Sequence, residues 1–311
     1  MLNVRGSGLI LGLLMMVMLS ACSARGSGGQ EPTAAVEDLP ETATAVSAGD
    51  IPPGQLRNVA YVEGGDRTQK LDIYLPLDAN APFPVLLAIH GGHGDKHEMA
   101  PLAEYFSERG YAVVTINFRD MPQHSFPAPV EDAFCALGWV YANAQYYGFD
   151  TTRIAAVGFS AGADFAAMLG AVDDAAPFLT SCPYNLPFPE RVAAVITFTG
   201  VFDLRAAAQL SAGHLDYYNR FVGDSQENAP EQWDAASVMS WVTGGEPPFL
   251  LIHGAADDNI LPSFSEHFAA VLEESGVRVS TYFVEGETHM GIIRNEDAFG
   301  AAEAFLLETL R

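Results

Sequence analysis

A serine between two glycines is the residue most clearly placed to do chemistry. Residues 158–162 read Gly-Phe-Ser-Ala-Gly, after an apolar run at 154–157 and before a helical segment. A sharp strand-to-helix turn presents a serine hydroxyl to open space, and the flanking glycines let strand and helix approach closely. The pattern therefore predicts that Ser160 is a nucleophile. A simple helix N-cap is the alternative function of this serine.

A nucleophilic serine needs a base to take its proton and an acid to orient that base. His289 stands in the loop after the last predicted strand, and Asp257 follows the apolar run that ends at His253. We expect His289 to be the base and Asp257 to be the acid, with His253 packed beneath the site. Asp258 and Asp203 are alternative acids, since they also follow predicted strands. A surface position is the alternative for His289.

A glycine-rich loop follows an earlier buried strand, with the sequence His-Gly-Gly-His-Gly at residues 90–94. Acyl transfer needs N–H donors aimed at the oxyanion of its tetrahedral intermediate, and glycine leaves such donors exposed. The expected donors are the backbone amides of Gly91, Gly92, His93 and Ala161. Phosphate binding is the alternative for such a loop, but neither of the usual phosphate-binding glycine patterns is present.

Composition excludes several other functions. The chain has 39 Asp and Glu against 15 Lys and Arg, and its net charge of −24 repels a phosphate backbone, so no nucleic-acid partner is expected. A chain with 49% hydrophobic residues is not intrinsically disordered. His90, His93 and His97 lack the acidic partners of a zinc signature, so no metal is expected. Serine chemistry of this kind needs no organic cofactor.

Short apolar runs alternate with helical patterns from residue 58 onward. The predicted strands are residues 58–62, 71–75, 84–90, 111–118, 153–159, 192–198, 249–253 and 277–284, and the predicted helices are residues 97–109, 129–146, 161–171, 262–275 and 298–310. Such alternation predicts an α/β fold in which a mainly parallel sheet carries helices on both faces. We expect the three chemical side chains to converge at one edge of this sheet.

Two long segments interrupt the alternation. Residues 172–190 are rich in proline, and residues 202–246 combine helical pieces with many polar and aromatic residues. Long excursions of this kind are commonly lids or binding loops. We therefore predict that they shape the substrate pocket together with Phe126 and Phe159. Surface insertion without a function is the alternative for each segment.

Together these residues resemble the α/β-hydrolase superfamily, and within it carboxylesterases of the hormone-sensitive-lipase and arylformamidase-like groups. The resemblance covers residues 58–311 and rests on motifs at 71–76, 90–92, 117–119, 126–133, 158–162, 253–257 and 288–289. It implies an α/β-hydrolase fold with loop or lid insertions. It also implies the superfamily's chain order of nucleophile, acid and base, which here gives Ser160, Asp257 and His289.

The chain departs from the superfamily pattern at three points. His93 replaces the third glycine of the commonest loop, and Phe159 stands where many relatives have histidine. Ala163-Asp164 replaces a glycine and a neutral residue, one helical turn beyond the serine. A carboxylate at position 164 would disfavour anionic acyl groups. A contact with arginine or solvent is the alternative for Asp164.

The first residues have the build of an export signal. Arg5 is the only charged side chain in residues 1–20, and the apolar run at 8–19 is too short to span a bilayer comfortably. The run ends in Leu-Ser-Ala-Cys, which resembles the bacterial lipobox and implies lipidation at Cys22. We predict a signal peptide over residues 1–21, a flexible tether over 22–54 and a catalytic domain over 55–311. An ordinary secretory signal or an uncleaved anchor is the alternative.

Two cysteines remain beyond the signal, Cys135 and Cys182. An exported protein meets an oxidising environment, which allows a disulfide between them. Two buried thiols are the alternative, and the sequence leaves this choice open.

These observations predict a serine carboxylesterase that is lipid-anchored to a bacterial membrane outside the cytoplasm. The expected substrates are small-molecule or polysaccharide-linked esters with short or aromatic acyl groups. Three alternatives remain open. They are an arylformamidase, a peptidase of the prolyl-oligopeptidase type, and a binding protein on an inactive hydrolase scaffold.

Overall fold

The computed structural model describes residues 54–186 and 192–311, which contain an eight-stranded sheet. Its strands are β1 (Gln55–Ala60), β2 (Lys70–Tyr74), β3 (Phe83–Ile89), β4 (Ala112–Ile116), β5 (Phe149–Phe159), β6 (Ala194–Phe198), β7 (Phe249–Gly254) and β8 (Val279–Val284). The order across the sheet is β1-β2-β4-β3-β5-β6-β7-β8. Only the β1/β2 and β2/β4 pairs among these strands are antiparallel.

Helices fill the connections between the strands. They are α1 (Ala100–Ser107), α2 (Ala128–Ala142), α3 (Ala144–Tyr147), α4 (Ala161–Ala171), α5 (Leu204–Ala208), α6 (Ala212–Val222), α7 (Pro230–Ala236), α8 (Ser263–Glu274) and α9 (Glu296–Thr309). Short 3₁₀ turns lie at Lys96–Met99, Ala176–Phe178, Val238–Trp241 and Ile292–Arg294.

The hydrophobic core lies on both faces of the sheet. Along β3, Val85, Leu87 and Ile89 join the core that includes α2, α4 and α8, whereas Leu86 and Ala88 join the core that includes α1 and α9. Successive side chains of a strand point to opposite faces, so a strand covered on both sides is apolar throughout. The prediction of an α/β-hydrolase fold with helices on both faces is confirmed.

Two predicted helices differ in detail from those observed. The segment predicted as one helix from residue 97 begins as a 3₁₀ turn, and α1 starts only at Ala100, where Pro101 fits the first helical turn. The helix predicted over residues 129–146 is divided into α2 and α3 at Asn143. The side-chain amide of this asparagine donates to the Trp139 carbonyl at 2.8 Å, and such local bonds compete with the helical ladder.

A disulfide joins Cys135 on α2 to Cys182, and their Cα atoms are 5.4 Å apart. This is one of the two states that the sequence left open. The bond ties the proline-rich segment after α4 to the core helix α2. Phe178 of the same segment is buried and stacks on Phe134 of α2 at 5.5 Å between ring centroids.

The predicted signal peptide, the lipidation site at Cys22 and the predicted tether up to residue 53 lie outside the described residues. Within the described residues, no helix is both long and apolar enough to cross a membrane.

Candidate active site

Ser160 lies in the turn between β5 and α4, at the carboxyl end of a central strand. Its backbone has φ 54° and ψ −123°, a conformation that non-glycine residues rarely adopt. The Ser160 amide donates to the Phe198 carbonyl of the neighbouring strand at 2.9 Å, and the Ser160 carbonyl accepts from the Ala163 amide at 2.9 Å. These bonds hold the strained turn in place.

The two glycines beside the serine are required by close packing. A Cβ built on Gly162 would collide with the backbone carbonyls of Ile89 and His90, at the end of β3. A Cβ built on Gly158 would collide with the Gly162 carbonyl. Helix α4 therefore reaches the sheet only because neither position carries a side chain.

A chain of hydrogen bonds connects three residues that are far apart in sequence. The Ser160 Oγ lies 3.1 Å from His289 Nε2, and His289 Nδ1 lies 2.8 Å from Asp257 Oδ2. In the arrangement that suits catalysis, Nδ1–H donates to the carboxylate and Nε2 accepts from the serine hydroxyl. The structure thus brings together Ser160, Asp257 and His289.

Asp257 is buried and fully occupied. Its Oδ1 accepts from the amides of Asn259 and Ile260, both at 2.9 Å. Burial alone would raise the pKa of Asp257, but the nearby imidazoles of His253 and His289 and the hydrogen bond from the Ile260 amide hold that pKa well below its usual range. The carboxylate is therefore ionised at neutral pH and stabilises a cationic His289.

His253 lies directly beneath this carboxylate. Its Nε2 donates to the Ile260 carbonyl at 2.9 Å and lies 3.5 Å from Asp257 Oδ2, and its Nδ1 accepts from the Ser265 hydroxyl at 2.7 Å. The imidazole is completely buried. It fixes the loop that carries Asp257, as the sequence suggested.

The two alternative acids are placed elsewhere. Asp258 is exposed to solvent. Asp203 caps helix α5, where it accepts from the amides of Arg205 and Ala206 at 3.0 Å each. Neither carboxylate forms a hydrogen bond or ion pair with His289, whose ring nitrogens contact Asp257 and Ser160.

The glycine-rich loop after β3 is held by two acidic side chains that the sequence interpretation missed. The Gly91 amide donates to Glu98 at 2.8 Å, and the His93 amide donates to Asp120 at 2.8 Å. Two of the four amides expected to bind an oxyanion are therefore already engaged. Glu98 lies 7 residues from Gly91 in the chain, and Asp120 lies 27 residues from His93. The position of an acidic residue shortly after the loop is the one sequence signal that could have indicated Glu98.

The amides of Gly92 and Ala161 remain available. Neither has a hydrogen-bond acceptor in the part of the chain that the structure describes. The two residues face each other, since a Cβ built on Gly92 would lie 3.6 Å from the Ala161 side chain. They form the pair of donors best placed to receive an oxyanion near Ser160.

His90 supports the loop from below. Its Nδ1 donates to the Gly91 carbonyl at 2.6 Å, and its ring stacks on Phe118 at 4.3 Å between centroids. Burial lowers the pKa of His90, so the imidazole is neutral. Among the residues that the structure describes, no group of three or more His, Cys, Asp or Glu side chains is arranged to hold a metal ion.

A cavity of about 600 Å³ opens at Ser160 and His289. Its apolar wall includes Phe165, Val201, Leu204, Phe221 and Ile260. Phe159 lines this cavity, and the Phe159 ring lies 5.1 Å from the His289 ring. The segment at 202–246 supplies much of the wall through α5, α6 and α7.

Two of the predicted pocket elements lie away from this cavity in the described residues. Phe126 does not line the cavity but packs behind it, against Phe178 and Phe221. The described part of the segment at 172–190 does not line it either, because Phe178 and the disulfide draw that segment toward α2. The prolines predict an irregular segment, but they do not indicate which side of the domain it packs against.

The fold and the arrangement of these side chains define a member of the α/β-hydrolase superfamily. Residues 71–272 match the BD-FAE family, and the chain belongs to this family. It is 32% identical to esterase LipQ of Mycobacterium tuberculosis over 236 residues, which are 73% of this chain and 55% of that protein. The chain thus spans about half the length of the curated relatives that it matches.

Solved structures share the same fold. A truncated carbohydrate esterase from gut microbiota has a TM-score of 0.72 at 23% identity, over 84% of this chain and 98% of its own. A propionate-bound thermophilic esterase from Thermogutta terrifontis has a TM-score of 0.68 at 24% identity, over 82% of this chain and 94% of its own. The predicted resemblance to α/β-hydrolase carboxylesterases is confirmed.

Proposed function

We propose that this protein is a serine carboxylesterase that works through Ser160, His289 and Asp257. The observation that carries the proposal is the continuous hydrogen-bond chain from the serine hydroxyl through the imidazole to the buried carboxylate. Relatives named as esterases support the same activity.

The reaction follows from the geometry. The Ser160 oxygen attacks the ester carbonyl while its proton passes to His289 Nε2, and Asp257 stabilises the imidazolium. The amides of Gly92 and Ala161 receive the oxyanion. When the tetrahedral intermediate collapses, the C–O bond to the alcohol breaks and His289 gives its proton to that alcohol. Water then attacks the acyl-enzyme with the same base, which releases the acid and restores the serine.

We infer that the substrates are short-chain or aromatic acyl esters, either free or attached to a polysaccharide. A cavity of about 600 Å³ with a largely aromatic and aliphatic wall suits such acyl groups. One of the similar solved structures is described as a carbohydrate esterase, which supports the polysaccharide-linked class.

The proposal is tested with p-nitrophenyl acetate and butyrate, an N-formyl anilide and a proline-anilide peptide. We expect wild type to cleave the esters fastest and Ser160→Ala to lose nearly all of that activity. Ser181→Ala is a matched control because Ser181 is exposed and does not line the cavity. Preference for the formyl anilide or the peptide would favour the rival enzymes, and an inactive wild type would favour a binding scaffold.

We also propose that the protein is anchored by a lipid at Cys22 and acts outside the cytoplasm. The lipobox-like sequence at 19–22 and a disulfide typical of oxidising compartments support this. Bacteria that express the full chain are fed an alkyne fatty acid. We expect label on wild type and none on Cys22→Ser, and Cys135→Ser should keep its label. A labelled Cys22→Ser protein would contradict the proposed site.

A further inference from the structure

Asp164 is a carboxylate inside an otherwise uncharged helix. It lies in the first turn of α4, four residues after Ser160, and α4 has no other charged residue. Only 9% of Asp164 is exposed, yet it lines the same cavity as the serine. Residues at this spacing share one helix face, with Cβ atoms about 5–6 Å apart.

One of the two oxygens of the Asp164 carboxylate forms structural hydrogen bonds. Oδ1 accepts from the amides of Val201 and Phe202, both at 2.9 Å, which holds the turn after β6. No Lys, Arg or His among the described residues forms an ion pair with Asp164, and its Oδ2 has no hydrogen-bond donor there. An ionised carboxylate offers about four lone-pair sites, so capacity is left over.

Holding the turn does not require a charge. An asparagine oxygen would accept the same two amides without the cost of burying an anion. That cost is visible here, because burial raises the pKa of Asp164 to about 7 despite the bonds from Phe202 and Val201. The unpartnered oxygen therefore points to a ligand that donates a hydrogen bond from inside the cavity.

Two tyrosines supply further polar groups to the same cavity. Tyr217 and Tyr218 of α6 line it, and neither hydroxyl has a hydrogen-bond partner within the described part of the chain. Burial raises the pKa of Tyr217 to about 12, with the charges of Asp120 and Asp164 adding to the shift. Burial likewise raises the pKa of Tyr218, with Asp164 adding to it. Both hydroxyls stay protonated and lie near enough to sense the carboxylate.

The three groups together match one kind of ligand. A carboxylate accepts, and a tyrosine hydroxyl both donates and accepts, as does an alcohol or phenol. An ammonium group only donates, and a carboxylate on the substrate only accepts and would meet a like charge. Near Asp164 the wall is built mainly from apolar residues such as Phe165, Val201 and Phe221, which favours a small neutral ligand group at this place.

We propose that Asp164 is a specificity-determining residue that hydrogen-bonds a hydroxyl group of the ester substrate and disfavours esters carrying a carboxylate at that place. Tyr217 and Tyr218 complete the hydroxyl site. The proposal rests on the esterase function proposed above, and it assigns a role to a residue that departs from the superfamily pattern.

The test compares kcat/KM for esters that differ in one group. On the acyl side, the p-nitrophenyl esters of butyrate, 3-hydroxybutyrate and succinate (the hemisuccinate) carry an alkyl group, a hydroxyl or a carboxylate. On the alcohol side, propyl butyrate and 2-hydroxyethyl butyrate differ by a methyl against a hydroxyl group. We expect wild type to prefer the hydroxylated member of at least one pair by about tenfold or more, since hydrogen bonds to a charged group have this strength. Hemisuccinate should be the poorest acyl substrate.

The variants separate recognition from structure. Asp164→Asn keeps an acceptor for the Val201 and Phe202 amides, and it should raise the hemisuccinate-to-butyrate ratio about tenfold while reducing the hydroxyl preference. Tyr218→Phe keeps the ring and should reduce only the hydroxyl preference. If Asp164 were merely structural, Asp164→Asn would change all esters by one factor, and that result would overturn the proposal.

Binding to Ser160→Ala needs no hydrolysis and keeps the two proposals distinct. Isothermal titration with the same uncleaved esters should show the same order of affinity, and Asp164→Asn in this background should remove it. An inactive wild type with this binding pattern would refute the esterase but not the hydroxyl site. Equal affinities for the hydroxylated and unhydroxylated ester of both the acyl and the alcohol pair would refute the hydroxyl site itself. So would a preference for p-nitrophenyl 3-aminobutyrate, which carries an ammonium group, over p-nitrophenyl 3-hydroxybutyrate.

Discussion

Asp257 makes contacts that its neighbouring acids do not make. It binds His289 through one oxygen and two backbone amides through the other. Asp257→Asn removes the charge that stabilises the imidazolium and offers an amide N–H that favours the wrong imidazole tautomer. We expect kcat on p-nitrophenyl butyrate to fall by about 10³- to 10⁴-fold. The exposed Asp258→Asn is the matched control, and an equal loss there would contradict our assignment of the acid.

Asp164 also predicts a dependence of stability on pH. Burial raises its pKa in the folded protein to about 7, against 3.8 for an ordinary aspartate, so the folded state holds this proton more tightly. The stability of wild type therefore falls as pH rises from about 4 to 7, by at most about 1.4 kcal/mol per pH unit from this group. Asp164→Asn lacks this loss.

We measure the free energy of unfolding by urea for Asp164→Asn and for wild type at several pH values. We expect the stability of the variant relative to wild type to increase up to pH 7 and then to stay constant. A flat difference for Asp164→Asn between pH 5 and 8 would show that the carboxylate keeps its ordinary pKa.

Some residues of the site could be placed from the sequence around them, and others could not. Ser160 and His289 stand in short motifs whose spacing from predicted strand ends limits where they go. The engaged amides of Gly91 and His93 could not be predicted, because Glu98 and Asp120 reach them only through the folded loop. A glycine-rich sequence shows that amides are exposed but not which carboxylates occupy them.

The contact between α4 and β3 makes a prediction about whole elements. A Cβ on Gly162 meets the carbonyls of Ile89 and His90, so Gly162→Ala must push the helix away from the sheet. We expect a loss of about 1–3 kcal/mol in the free energy of unfolding, together with loss of activity as Ser160 moves. Gly300→Ala is the control, because a Cβ there meets nothing within 4 Å, and it should stabilise α9 by about 0.5–1 kcal/mol. Unchanged activity in Gly162→Ala would contradict this account.

Elements with a strong local pattern were predictable. Helix α4 begins and ends where the sequence indicates, and β3 lies within one residue of its predicted bounds at both ends. Apolar runs and flanking glycines determine such elements locally. The segments at 172–190 and 202–246 look alike as interruptions, yet in the described residues only the second lines the cavity. That difference depends on tertiary packing around Phe178 and on the disulfide.

At the scale of the whole molecule, sheet order is what the sequence leaves undetermined. The alternation of strands and helices predicts a parallel sheet but not that β3 lies between β4 and β5. This order places the loop after β3 beside the serine turn after β5, and the acid and base follow the neighbouring strands β7 and β8. Only the resemblance to a known superfamily supplied that arrangement in advance.

The disulfide predicts a change in global stability. It closes a chain segment of 47 residues, and removing it frees the unfolded chain. We expect the double variant Cys135→Ala with Cys182→Ala to lose about 2–4 kcal/mol in the free energy of unfolding by urea. Dithiothreitol should destabilise wild type similarly and leave the double variant unchanged. Equal stability with and without reductant in wild type would contradict a formed bond.

The same bond determines what happens when a peptidase cuts the surface. Residues 173, 174, 176 and 177 are exposed and lie between the two joined cysteines. A cut at any of them leaves the amino-terminal and carboxyl-terminal fragments joined by the disulfide. On a denaturing gel the cut molecule therefore migrates as one band until the disulfide is reduced. Around secreted proteases, a severed backbone at this place would not separate the serine turn from the histidine on which it depends.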